Sequence, residues 1–406
     1  MSDTVAILGR QPTLGLAELE SICGADKIQP LPGAALVGIE PADFPMSRLG
    51  GTMKAAKLLT FLPFTDWEKI EAYLVMALPK HVPVIPEGKI RLGLSSYGFK
   101  VSIKRQNATG LTLKKVVKQA GRSVRVVPNV MNELNSAQVL HNQLTGPTGI
   151  ELVLIKDGDQ TVLAQTFAVQ DIEAYAARDQ ARPKRDARVG MLPPKLAQII
   201  INLADNRGGQ PWGEEHQQYV QKSYGIAVLD PFCGTGVILQ EALLAGYDAY
   251  GTDLDSRMVA YSKENLEWLF DKFADNLEER AYHLEVADAA QDTWQGFDTI
   301  ACETYLGRPF SGPPKPSTLK EVMQDVDTIH KKFLKNVASQ TKPGFRMCIA
   351  VPAWKTRSGF QHLPILDSLE RLGYTRVSFA HVSSKDLLYY RDDQIVAREL
   401  VVLIRK

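Results

Sequence analysis

The rhythm of apolar and polar residues changes near residue 190. Before it, "TVAIL", "AALVGIE" and "KAAKLLTFL" read as short strands, while "LGLAELESI" and "TDWEKIEAYLVMAL" carry helical spacing. Two prolines and a glycine in "KHVPVIPEGK" interrupt the pattern. Beyond them "KIRLGLSSYG", "SVRVVP", "IELVLIKDG" and "TVLAQTFAV" read as strands, with helices at "LTLKKVVKQAGR" and "SAQVLHNQL". Two small α+β domains are therefore expected, over 1–80 and 81–176. A joint at 177–189 follows. From Arg178 to Arg188 it holds five basic and two acidic side chains with one proline and few apolar residues to bury, so it reads as a linker, either a solvated spacer or an extra phosphate contact.

Over 190–406 strands alternate with helices, which predicts an α/β domain with a mostly parallel sheet. Strands are expected at "GIAVLDP", "DAYGTDL", "YHLEVAD", "FDTIACE", "RMCIAVP", "TRVSFAHV" and "ARELVVLI". The final two are joined by "SSKDLLYYRDDQIV", too short for a helical crossover, so an antiparallel pair is expected there. A seven-stranded, mostly parallel sheet with that ending is the outline of a class I (Rossmann-like) methyltransferase domain.

Composition narrows the picture at three points. With 406 residues and 45% hydrophobic content, the chain is long and apolar enough for two or three globular domains. Its four cysteines are widely spaced and form no C-x-x-C pair, which argues against a disulfide scaffold or a cysteine metal site and for a reducing, cytoplasmic setting. No apolar run approaches the length of a membrane span, and no secretory leader is expected. Charge is more informative. Between Pro86 and Arg125 ten basic residues stand against one acid, in a chain whose net charge is +1. In "LTLKKVVKQAGR", Leu113, Val116, Val117 and Ala120 fall on one helical face, and Lys114, Lys115, Lys118 and Arg122 on the other. Together with Lys104, Arg105 and Arg125 these cations are candidate contacts to an RNA backbone, the alternative being a solvated helix face.

Candidate chemistry concentrates in "DPFCGTGVILQEALLAG". The strand ends at Asp230, the turn holds Phe232, Gly234, Thr235 and Gly236, and a helix is expected from Val237, so backbone amides and a positive helix end face the ligand crevice. Leu239 takes the place of the third glycine of G-x-G-x-x-G, which weakens a nicotinamide or flavin reading. Asp230 is a poor neighbour for a pyrophosphate and a good one for the ammonium of S-adenosylmethionine. Asp253 and Leu254 end the second strand at the spacing of a ribose-binding acid. Asp288 and Ala289 end the third, where a carboxylate or amide can meet adenine. Each acid alone also suits a turn or helix cap. At the fourth strand end, "ACETYLGRPFSGPPKPS" offers Glu303 to hold an amine N–H and Tyr305 as a plane for a base. The alternative is a solvent carboxylate and a packing aromatic.

"DPFCGTG", "GTDLD" and "RPKRDARVGMLPPKLAQIIINLA" resemble the methyltransferase half of the THUMP-domain tRNA guanine-N2 methyltransferases, the archaeal and eukaryotic enzymes acting at tRNA position ten. "SVRVVP", "FAVQDIEAYAARD" and "LYYRDDQIVARELVVL" extend the resemblance over nearly the whole chain. It implies a ferredoxin-like domain over 1–80 and a THUMP domain over 81–176 that grips tRNA. It also implies S-adenosylmethionine at Asp230, Gly234, Gly236, Asp253 and Asp288. Where the family carries Asp/Asn-Pro-Pro-aromatic, this chain has Glu303, Thr304, Tyr305 and Leu306. The resulting expectation is a cytoplasmic, S-adenosylmethionine-dependent enzyme forming N2-methylguanosine in tRNA. Its alternatives are an RNA-binding protein with a retired methyltransferase fold and a DNA adenine-N6 methyltransferase.

Overall fold

In the computed structural model, residues 3–186, 191–205, 226–274, 277, 280–310, 312–357 and 359–406 are described. Arg188 of the expected joint and Gly190 of the "GMLPPKLAQ" stretch lie outside them. The chain divides into two compact units: residues 1–12, 26–47 and 52–172 form the first, and residues 13–25, 48–51 and 173–406 the second.

The first unit is built on one eight-stranded sheet. Its strands are β1 (Thr4–Leu8), β2 (Ile28–Leu31), β3 (Ala34–Val37), β4 (Thr52–Leu62), β5 (Ile90–Tyr97), β6 (Val124–Val126), β7 (Gly149–Asp157) and β8 (Gln160–Val169). They run in the order β2-β3-β1-β4-β8-β7-β5-β6, so the segments 1–80 and 81–176 join edge to edge through β4 and β8. A buried carboxylate pins four neighbouring strands in register. Glu151 on β7 accepts from Lys54 Nζ on β4 at 2.5 Å, Ser95 Oγ on β5 at 2.6 Å and Thr166 Oγ1 on β8 at 2.6 Å. A one-residue slip of any strand would leave this charge without partners. Helix Ile103–Gln119 starts eight residues before the apolar spacing suggests and buries Gln106, Thr109, Gly110, Leu113 and Val117. Ala120, expected on that face, lies past the helix end and is exposed.

The second unit carries strands β9 (Ala227–Asp230), β10 (Asp248–Asp253), β11 (Tyr282–Val286), β12 (Thr299–Glu303), β13 (Arg346–Thr356), β14 (Gly359–Gln361), β15 (Tyr374–Arg376), β16 (Leu388–Tyr389) and β17 (Val396–Arg405). The sheet has nine strands, not the seven expected: seven follow the order β11-β10-β9-β12-β13-β17-β15, and β14 on β13 and β16 on β17, of three and two residues, are too short to show a periodicity in the sequence. The first five run parallel, and β17 is antiparallel to both β13 and β15. The order reverses between β9 and β12, which is where α/β sheets open a crevice beyond their strand ends.

Alternation explains why these strands are apolar throughout. Ile300, Cys302, Met347, Ile349, Val401 and Leu403 pack with helix Pro316–Gln340 on one face. Ala301, Cys348, Ala350, Leu400 and Val402 pack with helices Pro194–Ala204 and Val237–Leu244 on the other. The strand expected over "TRVSFAHV" stops at Arg376. Its continuation leaves the sheet because the Ala380 and His381 amides donate to Glu20, at 2.7 and 2.8 Å, instead of to a strand. The segment read as a charged linker is also tied down where it is described. Arg178 is buried and donates through Nε to Glu241 at 2.6 Å, and the Lys184 amide donates to Asn265 at 2.8 Å. Pairing, not apolar content, makes that burial tolerable. Among the described residues no helix is long and apolar enough to cross a membrane, and no group of three or more His, Cys, Asp or Glu is arranged to hold a metal.

Candidate functional site

A cleft of about 880 Å³ opens where the sheet order reverses. Asp230, Phe232, Gly234, Thr235, Asp253, Leu254, Asp288, Ala289, Glu303 and Tyr305 all line it. Ten of the eleven residues expected to hold cofactor or acceptor are thus brought together. Gly236, the remaining one, precedes helix Val237–Leu244.

Strand register gathers the acids. Asp230 pairs with Gly251, and Leu229 with Ile300, so Asp230, Asp253 and Glu303 share one parity and project from one face. Asp230 is 2% exposed, and burial, with the nearby charges of Asp253 and Glu303, pushes its carboxyl well above the ordinary range despite a hydrogen bond from the Phe232 amide. Asp253 is raised as well, chiefly by burial. Such a cleft is more favourable for a cation than for a phosphate.

The turn between β9 and the following helix depends on glycine at two places. Gly234 has φ +51° and Gly236 φ +82°, and a Cβ on Gly236 would come within 3.0 Å of Ser262 Oγ. Asp253 holds this turn from the next strand, accepting from the Gly234 amide at 3.0 Å and the Asp255 amide at 2.9 Å. Ser262 Oγ donates to the Gly234 carbonyl and Asn265 Nδ2 to that of Thr235, both at 2.8 Å. Asp253 therefore shapes the cradle and keeps further acceptor capacity for a hydroxyl pair. Asp288 accepts from the Ala290 amide at 2.9 Å, while its own amide donates to Asp292.

The end of the cleft at Glu303 is built differently. Glu303 is 16% exposed in its side chain and pairs with Arg398 of β17, a contact made by Arg398 Nε and Glu303 Oε1. Thr304 points to the opposite face and is buried, its hydroxyl 2.6 Å from His330 Nε2 and 2.9 Å from the Ala350 carbonyl. His330 Nδ1 lies 2.7 Å from the Val326 carbonyl, which can only accept, so Nδ1 carries the proton, and Nε2 and the Ala350 carbonyl share the single Thr304 hydroxyl proton as acceptors. Burial lowers the His330 pKa to about 4, which keeps the ring neutral. Tyr305 is 44% exposed, and Arg308 and Lys332 also line the cleft. Sequence reading missed Arg398 and His330. The available signal was "ARELVV", two charges inside an apolar strand that must each find a partner.

The seven cations considered for RNA belong to the first unit. Lys104, Lys115, Lys118 and Arg125 are exposed and Lys114 is half-buried. Arg105 pairs with Glu71 at 2.7 Å. Arg122 donates to the carbonyls of Ile85, Pro86 and Gly88 at 3.0, 2.6 and 3.0 Å, clamping the chain ahead of β5.

Residues 222–393 match the family described as a methyltransferase domain. The second unit carries a methyltransferase domain. A crystal structure of TrmN from Thermus thermophilus shares the fold at a TM-score of 0.52, with 17% identity and full coverage of both chains. A tRNA (guanine(10)-N2)-dimethyltransferase of Methanothermobacter thermautotrophicus is 28% identical over 207 residues, 50% of this chain and 51% of that protein. Its counterpart in Methanocaldococcus jannaschii is 32% identical over 111 residues, 26% of this chain and 27% of that one. This chain therefore spans about half, or less, of the length of the curated relatives it matches. In the methyltransferase domain, the strand ends that carry the acids are those that face the cleft.

Proposed function

We propose that this protein is an S-adenosylmethionine-dependent tRNA methyltransferase that acts on the exocyclic amine of guanine. The observation that carries the reading is the convergence of Asp230, Asp253, Asp288 and Glu303 on one cleft of a methyltransferase domain. A cationic cofactor with a ribose and an adenine suits three acids at three strand ends. When bound, it supplies an electrophilic methyl group. Asp230 holds its ammonium, Asp253 its ribose hydroxyls, and the Asp288–Ala289 turn its adenine edge, with exposed Leu254 as an apolar contact.

Glu303 then faces the acceptor. Its carboxylate takes an N–H of the target amine, orients the nitrogen lone pair and receives the proton released after transfer. Tyr305 offers a ring for the flipped base to stack on, and Arg308 and Lys332 offer charge to the flanking phosphates. The match to curated enzymes named for tRNA guanine supports guanine over adenine. In the first unit, residues 81–176 serve as the RNA-binding region, with Lys104, Lys114, Lys115, Lys118 and Arg125 contacting the backbone.

Methyl transfer from labelled S-adenosylmethionine to tRNA, followed by digestion and nucleoside mass spectrometry, tests the proposal. N2-methylguanosine is the expected product. Methyladenosine in DNA would replace this reading with the adenine-directed one, and binding of both ligands without transfer would replace it with a binding protein.

A further inference from the structure

We propose that Arg398 is a positioning residue for methyl transfer, which fixes the carboxylate of Glu303 so that one oxygen is left to meet the acceptor amine. The inference rests on the function proposed above and concerns how its acceptor end works.

The register of three strands brings the pair together. Glu303 pairs with Ala350 across β12 and β13, and Ala350 with Leu400 across β13 and β17. Arg398 lies two residues along β17 from Leu400, so its side chain leaves the same face and reaches back over β13. The Arg398 side chain is 6% exposed and does not line the cleft, whereas Glu303 does. Arg398 thus sits behind the carboxylate, not in the path of a substrate.

The arrangement answers a mechanical problem. A glutamate has one more rotatable bond than an aspartate, and its carboxylate can wander by roughly 1 Å, enough to cost on the order of 100-fold in rate. The backbone beside it is already held, because the Thr304 amide donates to the Ala350 carbonyl at 3.0 Å. What remains free is the Glu303 side chain. Arg398 Nε engages Oε1 and leaves Oε2 as the acceptor. The neighbouring charge on β17 has a separate duty: Glu399 projects to the other face, where it pairs with His362 and with Arg376 Nη2, the latter at 2.8 Å. Arg398 is therefore not shared with that network.

Steady-state methylation of tRNA by wild type and by Arg398→Gln, Arg398→Lys, Glu303→Gln and the Arg398→Gln/Glu303→Gln pair tests the assignment. Arg398→Gln should lower kcat by about 30- to 100-fold, with KM for tRNA and cofactor affinity within about twofold, and Arg398→Lys should recover part of the loss. Since Arg398 acts through Glu303, the double variant should be no slower than Glu303→Gln alone, within about threefold. The double variant leaves neither charge unpaired, so it remains informative if Arg398→Gln alone fails to fold. In that case Arg398→Lys carries the single-variant comparison. Losses that multiply in the double variant, or an Arg398→Lys variant with unchanged kcat alongside an Arg398→Gln variant that loses only Tm, would overturn the positioning role while leaving the activity standing. Wild-type protein that transfers no methyl group would remove the proposed function and this inference with it.

Discussion

The two ends of the cleft are held by different means. At the proposed cofactor end, Asp230, Asp253 and Asp288 each accept from a backbone amide within two residues, and Asp253 also takes one from the adjoining turn. At the proposed acceptor end, Glu303 and Thr304 are held by Arg398 and His330, which are 95 and 26 residues away. Local amides are supplied by any correctly folded strand-turn-helix unit. The acceptor end instead depends on side chains that the whole sheet must deliver. Substitution should therefore be graded at one end and abrupt at the other.

The largest effect is expected at Glu303. Glu303→Gln keeps the shape but removes the charge that stabilises the developing positive nitrogen, so methyl transfer should fall about 100-fold or more while cofactor affinity holds. Glu303→Asp sharpens the comparison. With Arg398 set for the longer side chain, shortening should also slow transfer, whereas a faster Asp variant would show that the acceptor end is not organised around that partner. Single-turnover rates decide between these outcomes.

At the cofactor end, Asp253→Ala should weaken S-adenosylmethionine binding by about 1.5 to 3 kcal/mol, since it removes the acceptor for the ligand's hydroxyls and the Gly234 anchor together. Calorimetry measures it. Undiminished affinity would mean that Asp253 serves the turn alone, and that this end of the cleft is less directly legible than its local geometry suggests.

His330 tests the far-partner side through stability. Its folded pKa of about 4 lies below the ordinary 6.5, so between these values the unfolded chain binds a proton that the folded one does not. Stability from this group is present above 6.5 and is lost as pH falls towards 4, at about 1.4 kcal/mol per pH unit. His330→Gln should be less stable than wild type at neutral pH, and the gap should narrow on acidification. Urea unfolding at pH 7 and pH 5 checks this; a gap of constant size would show that burial of the ring is not what the fold responds to.

The smallest effect is expected from the exposed cations of the first unit. Replacing Lys104, Lys114, Lys115 and Lys118 with alanine should flatten the salt dependence of tRNA binding by about 0.7 to 0.9 log units for each phosphate that is no longer neutralised. Cofactor affinity should not move. Arg122→Ala should instead lower Tm, because its guanidinium is committed to backbone carbonyls. An unchanged salt slope would return the lysines to a solvated face.

The sequence by itself determined most of the methyltransferase domain's strands, its glycine turn and the three acids at successive strand ends, because each rests on interactions within a few residues and on two simple periodicities. It also marked Glu303 and Tyr305 by their place after the fourth strand. It did not separate Arg122 from Lys115, although both lie on the polar side of one helical pattern, since only tertiary packing brings the carbonyls of residues 85–88 to the former. The shortening of the strand after Tyr374 was equally invisible, being set by Glu20, 360 residues from Ala380. Arg398 and His330 belong to the same class. A charged or polar residue in an apolar run says that a partner exists, but which one is decided by strand order and register, and these are fixed only when distant segments of the chain meet.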